Sequence, residues 1–338
     1  MKQLICSAHG RVEIVDTEVP SLKSGELLVR LRACGICGTD LMKVYDRSFT
    51  KPVQLGHEFV GIITRAGRDV ARFRPGERVA LGHHVPDYSS HFSRRGSEPM
   101  DSQFKGSNIV PGGFAQFVRI PERQVAHTVV SVPDSVPDQR AVFMEPIACC
   151  LRALDRVNVV EGDTLLIIGV GSIGLLFVPL GRDRSATVVV ADLRAERLEL
   201  ASTWGATAGF LADREDVASG CQRYTAGRGV DLAILTIVNQ QTLSTALDSV
   251  RDGGTVLLFG TKPDQELKLN AWQVWRREIN LISSYSATPD LLPRAMAILN
   301  RSDYPLEDTV SHIVPLAEGP TAFELAYRGQ ASKVVIVP

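Results

Sequence analysis

The stretch Thr164–Asp192, TLLIIGVGSIGLLFVPLGRDRSATVVVAD, decides the fold. It opens with an apolar run, Thr164–Ile168, too short for a buried helix and closed by glycine, which reads as a buried strand. Gly169, Gly171 and Gly174 follow in G-x-G-x-x-G spacing, Ser172–Gly181 reads as a helix, and Thr187–Ala191 reads as a second strand that ends at Asp192. Each part suits the binding of a dinucleotide. Gly169 permits a tight turn, Gly171 lets the backbone approach a pyrophosphate, and Gly174 lets helix and strand pack closely. The helix start at Ser172 and Ile173 offers unpaired N–H groups and a positive dipole end to the phosphates. Asp192 accepts hydrogen bonds from ribose hydroxyls, and its charge opposes a 2′-phosphate, so NAD is expected over NADP. Arg197 is taken as a further contact to the adenosine end, the alternative being a solvated helix face. A glycine turn that serves packing alone is the competing reading of the motif.

Strand and helix patterns alternate on both sides of this unit. Asp138–Asn158 reads as mostly helical, Ala195–Trp204 as a helix, Val230–Thr236 as a strand, and Gln241–Val250 as a helix. Thr255–Phe259 and Ile279–Ser284 read as further strands. This alternation signals a doubly wound parallel sheet, an α/β fold. The first part of the chain differs. Gln3–Ile5, Val12–Val15, Glu26–Ala33, Val60–Arg65, Arg78–Leu81 and Phe114–Ile120 read as strands separated by Pro and Gly turns, a β-rich domain.

Composition limits the function classes. At 338 residues the chain is long enough for two domains with their own cores. A formal net charge of −1 without Lys/Arg runs excludes nucleic acid and anionic membrane as expected partners. The N-terminal residues lack signal-peptide character, and the six cysteines form no disulfide framework, so a cytoplasmic setting with reduced thiols or metal ligands is expected.

Two stretches of the β-rich part carry chemistry: Ala33-Cys34-Gly35-Ile36-Cys37-Gly38-Thr39-Asp40 and Gly56-His57-Glu58-Phe59-Val60-Gly61. Cys37, His57 and Glu58 are zinc-binding types on separate segments, as catalytic rather than structural zinc sites are built. A Cys34/Cys37 redox pair is the weaker alternative, because nothing around it is thioredoxin-like.

The pattern G-H-E-x-x-G-x-x-x-x-x-G-x-x-V from Gly56 to Val70 resembles the zinc signature of the medium-chain dehydrogenase/reductase (alcohol dehydrogenase) family. C-G-I-C-G-T-D at 34–40 resembles that family's first metal-ligand segment. Phe143-Met144-Glu145-Pro146 and Ser284-Tyr285-Ser286-Ala287-Thr288-Pro289 resemble its sorbitol and threonine dehydrogenase branch. The resemblance implies a GroES-like catalytic domain over 1–152 and 286–338 and a Rossmann domain over 153–285. It implies a catalytic zinc on Cys37, His57 and Glu145, with Glu58 an alternate ligand or a group that tunes the metal, and Thr39 passing on the substrate's hydroxyl proton. It implies hydride transfer between NAD and a secondary alcohol of a polyol, sugar or aminocyclitol. A redox-neutral epimerase or lyase that recycles bound NAD, and a non-catalytic binding protein that keeps the fold, are the alternatives.

The chain departs from the family pattern twice. Met42 stands where a proton-carrying histidine is common. In HHVPDYSSHFSRRGSEPMD, residues 83–101, the four positions of a C-x2-C-x2-C-x7-C structural-zinc lobe hold Asp87, Ser90, Ser93 and Asp101. No structural zinc is expected there, since serine is a poor zinc ligand. Hydrogen bonds and pairs between Arg94 or Arg95 and the aspartates are expected to hold the lobe instead. A different metal set drawn from His83, His84, Asp87, His91 and Asp101 is the second reading. A homodimer or homotetramer is expected, because the apolar strand Ile279–Ser284 ends its sheet and an exposed edge is commonly covered by a second copy.

Overall fold

A computed structural model of the chain describes residues 1–46 and 53–338. The chain divides into two compact units, one made of Met1–Ala148 with Ala287–Pro338 and the other of Cys149–Ser286.

The first unit is β-rich. Its strands are β1 (Lys2–Ala8), β2 (Arg11–Asp16), β3 (Leu27–Gly35), β4 (Glu58–Ala66), β5 (Arg78–Leu81), β6 (Phe117–Ile120) and β7 (Val129–Ser131). The second unit contributes β8 (Thr164–Ile168), β9 (Thr187–Asp192), β10 (Ala208–Leu211), β11 (Val230–Leu235), β12 (Val250–Leu258) and β13 (Asn280–Ser283). The chain then returns to the first unit with β14 (Val310–Pro315) and β15 (Lys333–Val337). β1 and β2 form a separate hairpin, while the main sheet runs β14-β15-β3-β4-β5-β7, with β6 also paired to β3.

Long β3 is the spine of that sheet. Leu27, Val29 and Leu31 are fully buried and alternate with exposed Arg30 and Arg32, the period of a strand with one face on a core. They pack with Phe59, Ile63, Val79, Leu81 and Val118 from neighbouring strands. Register does the rest. Gly35 lies opposite Glu58, Phe59 opposite Leu81, and Val335 opposite Gly35. The end of β3, the starts of β4 and β15 and the end of β5 therefore meet at one rim of the sheet. Cys37, His57, Lys333 and His83 are delivered to it from four directions.

In the second unit all five residues of β8 are buried, as in a parallel sheet covered on both faces. The six strands run in the order β10-β9-β8-β11-β12-β13, every pair parallel. The order reverses between β8 and β11, the switch point at which doubly wound sheets bind ligands, and the glycine loop leaves β8 there. Two strands differ from the sequence-based reading. β10 is a short edge strand that contains Gly209. β12 begins five residues before the apolar run suggests, with its register against β11 shifting around Gly253, which sits at φ +70°.

Candidate active site

The helix Gly38–Tyr45 starts directly after Cys37. Asp40 in its first turn is fully buried and accepts the Cys37 N–H at 3.1 Å and the Gly56 N–H at 2.9 Å. One carboxylate thus ties the cysteine segment to the histidine segment. Its Oδ1 also stands 3.6 Å from His57 Nδ1. This turns the opposite nitrogen, Nε2, toward Thr39 Oγ1, which lies 3.5 Å away. A carboxylate behind an imidazole is the arrangement that orients metal-ligating histidines. The ligand atoms of Cys37, His57 and Glu58 lie within 4.8 Å of one another.

The electrostatics favour a cation. Burial opposes charge on His57, yet Asp40 and Cys37 more than reverse this and push its pKa well above the ordinary histidine value. Glu58 is buried and paired with Lys333, itself only 2% exposed. Burial would strip the proton from Lys333, but Glu58, Cys37 and Glu145 hold it in place and raise the pKa. The Lys333 ammonium also donates to the Ile36 carbonyl at 3.3 Å and sits 5.4 Å from the centre of the Phe143 ring. The second Glu58 oxygen, Oε1, is buried without a hydrogen-bond partner. Gly35 makes room for the pair: a Cβ there would fall 1.9 Å from Glu58 Oε2. Glu145, buried in the first turn of the helix Met144–Val157, lies outside the compact trio but within electrostatic reach of Lys333. Cys34 is a buried thiol whose pKa is pushed well up, chiefly by burial, and it belongs to the strand core.

The glycine loop divides its work as its spacing suggests. Gly169 adopts φ +90°, and its carbonyl accepts the Thr236 hydroxyl at 2.6 Å. A Cβ on Gly174 would fall 1.9 Å from that same carbonyl, so only glycine lets the helix sit this close to β8. At Gly171 a Cβ would meet nothing within 4 Å, which leaves the space before the helix N-terminus open. Ser172 and Ile173 begin that helix. Asp192 is buried at the end of β9. Its Oδ2 accepts the Val170 N–H at 2.8 Å and lies 3.5 Å from Arg197 Nη1, while Oδ1 accepts the Arg194 N–H at 3.1 Å.

Comparison with known proteins places this geometry. The alcohol dehydrogenase GroES-like domain matches residues 23–134, and the zinc-binding dehydrogenase domain matches residues 172–301. Sorbitol dehydrogenase of Bacillus subtilis strain 168 is 30% identical over 350 residues, spanning 100% of this chain and 97% of that protein. The chain belongs to the zinc-containing alcohol dehydrogenase family. L-threonine 3-dehydrogenase of Anaeromyxobacter sp. strain Fw109-5 is 29% identical and covers 99% of both chains. A Sinorhizobium meliloti 1021 homologue solved with NADP bound superposes with a TM-score of 0.90 at 28% identity, covering 100% of this chain and 99% of that one.

In this family member the segment 83–101 is built on oxygen. Ser93 Oγ donates to the Asp87 carbonyl at 2.7 Å, and Ser90 Oγ donates to Ser93 Oγ at 3.1 Å. Asp101 Oδ1 accepts the N–H groups of Phe104, at 3.0 Å, and Asp87, at 3.2 Å. The expected pairing of Arg94 or Arg95 with the aspartates does not form. Both arginines lie exposed on the short turn Ser93–Arg95, while backbone N–H groups and Ser89 already satisfy the carboxylates. The guanidinium near Asp87 is that of Arg123, which donates to the Pro86 carbonyl at 2.9 Å. The alternative metal set does not gather among the described residues; the ring centroids of His83 and His84 lie 3.7 Å apart, with His83 4.7 Å from His57. Burial holds both imidazoles neutral, pushing His84 down to about 4 and His83 well below its usual value.

Sequence reasoning missed Asp40 and Lys333 as site residues, and it assigned His83 to the 83–101 lobe instead of this site. Asp40 closes the quoted motif, and only the sheet register reveals the other two. Lys333→Met strands the Glu58 charge, so unfolding of the metal-free protein by denaturant is expected to show a loss of about 3–5 kcal/mol. Adding Glu58→Gln should recover a large part of that loss, whereas strict additivity of the two changes would refute the pairing.

Proposed function

We propose that the protein oxidises a secondary alcohol of a polyol, sugar or aminocyclitol with NAD⁺, giving the ketone, NADH and a proton. The observation that carries this reading is the compact trio of half-buried Cys37 with buried His57 and Glu58, and Thr39 Oγ1 beside His57. A soft thiolate, an imidazole oriented by a carboxylate and buried acids suit zinc. Cys37, His57 and Glu145 would hold the ion. Glu58, neutralised by Lys333, acts from behind as a tuning group or alternate ligand. Zinc bound there supplies Lewis acidity to the substrate oxygen. Thr39 accepts the substrate's hydroxyl proton and passes its own onward. Met42 has no proton to exchange, but Thr39 is exposed, which gives the proton an exit to water.

The second unit supplies NAD, the hydride acceptor. Gly169, Gly171 and Gly174 shape its pyrophosphate site at Ser172 and Ile173, and Asp192 faces the ribose with Arg197 beside it. The Asp192 charge opposes a 2′-phosphate, which favours NAD even though a homologue binds NADP. The lobe at 83–101 needs no zinc, because its four positions already bond to one another and to backbone.

Polyols, amino alcohols and cyclitols assayed with NAD⁺ and with NADP⁺, following reduced nicotinamide, test the reading. A polyol or cyclitol turned over preferentially with NAD⁺, and a narrowed NAD/NADP gap in Asp192→Ala, are expected. Purified protein that carries tightly bound NADH and converts substrate without net reduction would establish the redox-neutral alternative instead.

A second copy of the chain is the expected partner. β13 ends the six-stranded sheet, and Trp272, Trp275, Leu281 and Tyr285 stand 62%, 70%, 41% and 65% exposed around it. Apolar side chains gathered at a sheet edge favour pairing with a symmetry mate. Sedimentation at micromolar concentration is expected to give a dimer or tetramer; a monomer there would rule the pairing out.

A further inference from the structure

His83 differs from the two histidines next to it, His57 and His84. His57 is backed by Asp40, and His84 donates from Nδ1 to the Ser107 carbonyl at 2.7 Å while its ring packs 4.8 Å from that of Phe104. His83 is 8% exposed, and its ring nitrogens have no hydrogen-bond partner among the described residues; only its backbone carbonyl is used, by Gln124 at 3.2 Å. Its place follows from the fold. β5 ends at Leu81 opposite Phe59, so the chain leaving β5 passes directly beside His57. His84, fixed by Ser107 and Phe104, forms a wall behind the His83 ring. The His83 ring nitrogens are unpaired yet not fully enclosed, so they keep access for a hydrogen-bonding partner. The imidazole is therefore placed for a partner that arrives with the substrate.

We propose that His83 orients the substrate by hydrogen bonding to a hydroxyl or amino group on the carbon adjacent to the one oxidised, selecting vicinal diols and amino alcohols over simple alcohols. This rests on the reading that the reacting oxygen binds beside Cys37 and His57. Imidazole offers one donor and one acceptor, a match to either group. A buried polar group built to meet a substrate hydroxyl discriminates strongly against the analogue that lacks it, because that analogue leaves the group unpaired.

The test compares 2,3-butanediol with 2-butanol, which differ by one vicinal hydroxyl, in wild type, His83→Phe and His83→Gln. His83→Phe is expected to lower kcat/KM for the diol by about 100-fold and for 2-butanol by less than about threefold. Glutamine, which keeps a donor and an acceptor, should restore part of the diol activity. Calorimetric titration of the NADH-loaded protein with the diol, where no turnover is possible, should show the same loss of affinity in His83→Phe at unchanged zinc content. Equal losses for both alcohols, undiminished diol binding, or loss of zinc from His83→Phe would each overturn the proposal. If wild type oxidises neither alcohol, the polyol and cyclitol panel decides the dehydrogenase reading, and the calorimetric comparison alone decides the role of His83.

Discussion

Buried acidic charge at one rim of a β-sheet is the constraint on which the first unit depends. Asp40 and Glu58 are both essentially inaccessible, and a carboxylate in that setting is tolerated only when paired or hydrogen-bonded. Asp40 meets the condition with two backbone N–H groups and His57, and in doing so joins the two ligand segments. Glu58 meets it with Lys333, brought from the far end of the sequence by the pairing of β15 with β3. Neither solution serves a purely structural purpose economically, since well-packed apolar residues of similar volume are often as stable as a buried ion pair. What the arrangement gains is a fixed field that favours positive charge between Cys37 and His57.

Features fixed by local chemistry are legible in the sequence. The glycine spacing from Gly169 to Gly174 and the apolar runs of β8 and β9 specify a βαβ unit, since each residue acts on neighbours a few positions away. Cys37, His57 and Glu58 were readable by residue type and by family resemblance. Residues acting through register were not. Lys333 ends a loop and opens an ordinary apolar strand, and only its alignment beside Gly35 brings it to Glu58. His83 looked like one member of an acidic and histidine-rich lobe, but the end of β5 carries it to His57 instead. The four residues of β10, one of them glycine, hold no clear period.

The segment 83–101 is held by a different chemistry from that of the sheet rim. Asp87, Ser90, Ser93 and Asp101 do come together, through hydrogen bonds of 2.7–3.2 Å, and Asp101 also caps the helix Ser102–Gly106. Hydroxyls and carboxylates are poorer donors to a soft cation than thiolates and imidazoles. The Cys37 sulfur, the imidazole and the unpartnered carboxylate oxygen at the sheet rim offer the opposite.

Metal content separates these two environments most directly. Protein purified without added zinc is predicted to carry one zinc per chain, lost in Cys37→Ser and retained in Asp87→Ala. Zinc retained in Cys37→Ser, or a second tightly held ion that disappears with Asp87, would contradict the account.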